Sequence, residues 1–130
     1  MKAFVIDTGA LTLFFVGDSR LATPFYQIAS GRAAGFISSV NLAEFFYKTC
    51  QKAGRDAAGV MCRRAERRLQ VVVPDAELAL AAGAEKCRNG RLSLADSFVL
   101  ALAKRVGGTV LTTDSEMAKC GEVRVTFYEL

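Results

Sequence analysis

Histidine is missing altogether from the 130 residues, and the four cysteines (Cys50, Cys62, Cys87 and Cys120) are spaced widely, with no C-x-x-C pair. Together these absences leave no zinc site of the usual ligand types. The cysteines are expected to be buried small apolar residues in a reducing cytosol. An internal disulfide is the alternative, with weight mainly in a hyperthermophile. Proline is scarce, with only Pro24 and Pro74, and no low-complexity linker or internal repeat divides the chain. One compact domain spanning 1–130 is therefore expected. Long apolar runs are lacking too. Residues 3–6 are interrupted by Asp7 before they can form the core of a signal peptide, and residues 10–16 are far too few to span a bilayer. The expected location is the cytoplasm, with no membrane partner.

What is present is ample apolar material, 52% of residues, for one core. The formal charge of +4 is compatible with a polyanionic partner without establishing one. Short apolar strands are expected at 1–6, 35–38, 70–73, 109–112 and 123–125. Helical periodicity is expected at 10–16, 20–30, 40–52, 55–69, 75–88 and 93–106, with a short helix after Asp114. Strands that are apolar throughout and alternate with helices indicate a parallel sheet covered on both faces. The fold class is α/β, a three-layer α/β/α domain.

Most acids sit where charge is cheap, as at Asp18, Asp56, Glu66, Glu77, Glu85 and Glu122. Four do not. Asp7 ends the first strand, where open α/β sheets bind ligands, although an N-cap also favours aspartate. Asp114 repeats that arrangement after the strand at 109–112, with the same two readings. Asp96 follows Ser93 as in a capping box, yet shares a helical face with Val99, Leu100 and Ala103. Glu44 lies between Val40 and Tyr47 and must be paired, protonated or bound; Lys48 is its candidate counterion. Four carboxylates on one rim repel unless a cation neutralises them. A site of oxygen donors without histidine suits Mg²⁺ or Mn²⁺, ions that support hydrolysis of phosphodiesters.

The stretches FVIDTGAL, SSVNLAEFFY, LSLADSFVLALAK and VLTTDSEM, in that order and spacing, resemble the PIN-domain nucleases, in particular VapC-type toxins, over essentially the whole chain. The resemblance implies a metal site of Asp7, Glu44, Asp96 and Asp114, with Thr112 as the hydroxyl residue two before the last acid and Glu116 as a peripheral carboxylate. It also implies cleavage of RNA with Mg²⁺ or Mn²⁺, a homodimer, and inhibition by a cognate antitoxin. A PIN-like module that holds RNA or protein without cleaving is the alternative.

Asp7-Thr8-Gly9-Ala10 also spells an aspartic-protease signature, but those proteins are β-rich and helical periodicity begins here at once. A haloacid-dehalogenase phosphatase needs a second aspartate where Gly9 stands, and a receiver domain needs paired acids earlier. Arg63, Arg64, Arg67 and Arg68 form adjacent stripes on one helix. They are open to three readings: a solvated face, phosphate contacts beside the acids, or a protein contact. Phe14, Phe15, Phe45, Phe46 and Tyr47 are expected to be mostly core, with an exposed subset available to a partner helix.

Overall fold

A computed structural model describes residues 1–130. Five strands, β1 (Lys2–Ile6), β2 (Ala33–Ser38), β3 (Gln70–Val72), β4 (Thr109–Thr112) and β5 (Arg124–Phe127), form one sheet in the order β3-β2-β1-β4-β5. Every pairing is parallel, as the uniformly apolar strands require. The helices are α1 (Thr8–Phe15), α2 (Ala22–Ala29), α3 (Ser39–Ala53), α4 (Arg55–Arg68), α5 (Ala76–Arg88), α6 (Leu94–Val106) and α7 (Ser115–Ala118). The three-layer α/β/α architecture follows.

Alternation along each strand sorts the core into two clusters. Phe4, Ile6, Ala33, Ile37 and Leu111 face α1, α2 and α4, where they meet Leu11, Phe25 and Ala65. Val5 and Val110 face the opposite way, onto Leu78 of α5 and the buried run Phe98–Ala103 of α6. β1 is therefore buried on both faces from Phe4 to Ile6, and its charged neighbour Asp7 emerges only where the strand ends.

Several expected bounds shift: α1 begins at Thr8 rather than 10, and β2 at Ala33 rather than 35. The helix expected at 20–30 is a 3-10 turn at Ser19–Leu21 followed by α2, with Asp18 capping the turn through Arg20 N at 2.9 Å. The last strand falls at Arg124–Phe127 rather than 123–125, because it pairs along all of β4, from Thr109↔Arg124 to Thr112↔Phe127. Gly54 parts α3 from α4 with φ 93° and ψ 169°, a conformation essentially confined to glycine.

Gly35 allows a close approach. A Cβ there would stand 2.6 Å from Ile28 Cδ1 and 2.7 Å from Leu69 Cδ2, so a methyl group on β2 would have to displace the tips of both side chains. Gly35→Ala should destabilise the fold by about 1–3 kcal/mol through overpacking. Urea unfolding measures it, and a midpoint equal to or above the wild-type value would contradict that packing.

Candidate active site

β1 and β4 pair through Ile6↔Leu111, so Asp7, just past β1, and Thr112, the last residue of β4, stand side by side at the rim of the sheet. Asp7 is only 3% exposed. Its Oδ1 accepts from Ala10 N at 2.7 Å, which caps α1, and its Oδ2 accepts from the Thr112 hydroxyl and from Thr113 N at 3.4 Å. Thr112 Oγ1 in turn accepts from Asp114 N at 2.9 Å. Asp114 Oδ1 accepts from Glu116 N at 2.8 Å, capping α7. One buried hydroxyl thus ties two acids together. Burial raises the Asp7 carboxyl above its ordinary value although these hydrogen bonds pull it down, and the charge of Asp114 adds to the rise.

Asp96 arrives from the first turn of α6, where Ser93 Oγ accepts from Asp96 N at 3.0 Å. Its side chain meets that of Asp114. Burial, then the contact with Asp114, then the charges of Asp114 and Asp7 push the Asp96 carboxyl up to about 8. Asp114 moves the opposite way, below the ordinary aspartate range, because it accepts from Asp96. These opposite shifts favour a single proton on the pair, carried by Asp96.

Glu44 approaches from α3. It is half-buried rather than enclosed by apolar groups, and Lys48 Nζ stands 3.8 Å from its Oε2. All four acids line a single cleft of about 430 Å³ at the carboxyl rim of the sheet, together with Thr8, Gly9, Lys48, Ser93, Thr113 and Ser115, and no hydrophobic residue lines it. Its donors are carboxylate and hydroxyl oxygens, a set that fits a hard divalent cation rather than a soft one. No three of the carboxylates stand close enough as arranged to cage an ion.

The PIN domain family matches residues 4–123. The chain belongs to the PIN domain family. No curated protein sequence matches it, but solved structures do. The DNA-bound VapBC complex of Salmonella typhimurium matches with a TM-score of 0.78 at 21% identity, over 98% of each chain. DNA-bound VapBC2 of Rickettsia felis gives 0.77 at 14%, over 98% of this chain and 99% of that one. VapC20 of Mycobacterium tuberculosis, described as a sarcin-ricin loop cleaving toxin, gives 0.69 at 23%, over 93% and 98%. At such identities the likeness is one of fold.

Sequence reasoning missed the residue that joins the elements of this PIN domain. Asn41 is fully buried at the start of α3. Its side chain accepts from Ser38 Oγ at 2.5 Å and donates to Ala95 O at 3.2 Å, and its carbonyl accepts from Thr8 Oγ1 at 3.1 Å. β2, α6 and α1 are thereby clamped around the acids. The available signal was a lone asparagine on a face with Phe45, inside an otherwise apolar helix turn.

Other expectations need correction. Glu85 is not in a cheap position: it is 6% exposed and paired with Arg88 and with Lys104, whose Nζ is 2.5 Å from Oε1. Glu116 does not line the cleft, because Lys119 at 3.2 Å and Arg91 at 3.9 Å hold it. All four cysteines are free, but only Cys62 is buried and Cys87 is exposed, so burial does not explain the set. Phe45 is core, whereas Phe46 and Tyr47 on the next positions of α3 are exposed. None of Arg63, Arg64, Arg67 and Arg68 lines the acidic cleft. Arg67 and Arg68 border a separate groove with Phe14, Phe25, Tyr26 and Ile28, and the Arg68 guanidinium lies over the Phe14 ring at 5.5 Å.

The proton on Asp96 has a thermodynamic consequence. The folded chain keeps the Asp96 proton up to about pH 8, while an unfolded aspartate loses it near 3.8. Its contribution to stability is complete below the lower value and is lost as pH rises through the upper one. In chelator, the wild-type protein should therefore lose thermal stability between pH 4 and 8, and Asp96→Asn should flatten that decline. Parallel pH profiles for the two proteins would contradict a proton held by Asp96.

Proposed function

We propose that this PIN domain is an endoribonuclease dependent on Mg²⁺ or Mn²⁺ and the toxin of a VapBC-type toxin–antitoxin pair. The observation that carries the reading is the convergence of Asp7, Asp96 and Asp114 from three separate elements on one cleft without hydrophobic lining. Burial and the neighbouring Asp114 and Asp7 carboxylates raise the Asp96 carboxyl within it. Helix capping explains the places of Asp7 and Asp114 singly, but gathering three acids in one cleft costs stability, and neutralisation by a cation offsets that cost.

Asp7, Asp96 and Asp114 would hold the ion, with Glu44 as the fourth carboxylate. When bound, a divalent ion supplies an activated water and charge neutralisation at the phosphodiester oxygens. Thr112 keeps Asp7 and Asp114 in fixed relation by bonding the carboxylate of one and the backbone N–H of the other. Asp96 must release its proton before it can act as a ligand, so affinity for the ion should rise with pH. The hydroxyls of Ser93 and Thr113 border the same cleft and can orient an incoming backbone.

A protein partner has a place of its own. Phe14, Ala22, Phe25, Tyr26, Ile28 and Ala29 line an open groove rimmed by Arg67 and Arg68. An amphipathic antitoxin helix with acids on its polar side suits an apolar floor with a cationic edge. A homodimer is proposed through the outer faces of α3 and α4, where Phe46, Tyr47 and Val60 are exposed.

Asp7→Asn, Asp96→Asn and Asp114→Asn should each lower Mg²⁺- or Mn²⁺-dependent RNA cleavage by two orders of magnitude or more while the protein stays folded in chelator. Full cleavage by a folded Asp96→Asn protein would defeat the nuclease reading. Metal-independent RNA binding without cleavage by the wild type would favour a non-cleaving module. Separately, Tyr26 is 65% exposed in the groove, so Tyr26→Glu should abolish antitoxin binding and leave cleavage intact. Retained binding would move the partner elsewhere.

A further inference from the structure

Lys48 is the single cation on the lining of the acidic cleft. It projects from α3 one turn after Glu44, about half exposed, with its Nζ 3.8 Å from the Glu44 carboxylate. That separation is charge contact without a hydrogen bond, and Lys48 donates to no other group of the protein. Three N–H donors therefore face a cleft whose other charged groups, Asp7, Glu44, Asp96 and Asp114, are all anions. A phosphodiester entering this cleft carries charge of the same sign as all four. Lys48 alone can offset that repulsion from within, since neither the arginines of α4 nor Arg91 nor Lys119 lines the cleft.

We infer that Lys48 is a substrate-binding residue, a phosphate anchor that Glu44 holds in reserve and releases to a non-bridging oxygen of RNA. The inference rests on the nuclease reading above. It gives Glu44 two alternative partners, Lys48 and a divalent ion, and so couples ion and RNA: an ion taken up by Glu44 frees the ammonium for the phosphate. A lysine that merely forms an i,i+4 surface pair with Glu44 would leave RNA affinity and its salt dependence unchanged when removed.

The two effects have opposite signs, which makes the test decisive. Lys48→Met and Lys48→Gln should bind Mn²⁺ more tightly than wild type, read as a larger thermal shift at equal ion concentration without RNA. In an Asp96→Asn background, which prevents turnover, the same variants should bind a mixed-sequence single-stranded oligoribonucleotide roughly tenfold more weakly, the loss of one charge-assisted contact. Their salt slope should fall by about 0.7, one phosphate contact on a single strand. Lys48→Arg should restore most of the affinity. RNA affinity and salt slope equal to those of the Lys48-containing protein would overturn the inference even if Mn²⁺ binding tightened, because Lys48 would then be only a counterion of Glu44. Absence of both Mn²⁺ binding and RNA binding in the wild type would defeat the nuclease reading itself and this inference with it.

Discussion

The pairing of β1 with β4 is the constraint on which the candidate site depends. Because the last residues paired between them are Ile6 and Leu111, Asp7 and the terminal β4 residue Thr112 meet at one point of the rim. The Thr112 hydroxyl meets the Asp7 carboxylate there, while Asp7 N donates to Leu111 O at 3.0 Å. A slip of one residue would turn every side chain of β4 to the other face and break this contact. The same residue also ties in the sheet edge, since Tyr128 N donates to Thr112 O at 2.8 Å. Register, set by apolar burial on both faces, thus becomes geometry at the rim.

The two roles open to an aspartate at a strand end, helix cap and ligand, are not exclusive here. Asp7 spends one oxygen on Ala10 N, and Asp114 spends one on Glu116 N. Each cap fixes a carboxylate in place and leaves it able to act on something else. Asp96 differs: its backbone N–H is capped by Ser93, and its side chain is left to Asp114. A cleft of this kind works against stability, because like charges are brought together in partial burial. The two apolar clusters on either side of the sheet, and the buried Asn41 clamp, hold it in place against that repulsion.

Charge is distributed by place rather than by total. α1 has the acids at its start and Phe14 near its end, roughly 10 Å further along the axis. The Arg67 and Arg68 groove belongs to that far end. The basic stripe of α4 is therefore set apart from the acids, and positive charge within the cleft comes from Lys48 alone. Proposed catalysis and proposed partner binding occupy opposite ends of one short helix.

The parallel sheet, its covering layers and the four unusual carboxylates were legible in the sequence. Apolar strands without polar alternation have to be covered on both sides, and an aspartate directly after such a strand has to emerge at its rim. Those are local consequences of periodicity and burial. Tertiary structure alone decided what depends on residues far apart in the chain. Glu85 looks solvated by sequence but is buried by Lys104, 19 positions away. Asn41 becomes a clamp only because Ala95 and Thr8 reach it. The α4 arginines fall outside the cleft because α4 returns alongside α3 and ends against Phe14. Which acid keeps a proton was equally beyond the sequence, since it depends on the distance between Asp96 and Asp114 and on their burial, quantities that only the folded packing of α6 against β4 determines.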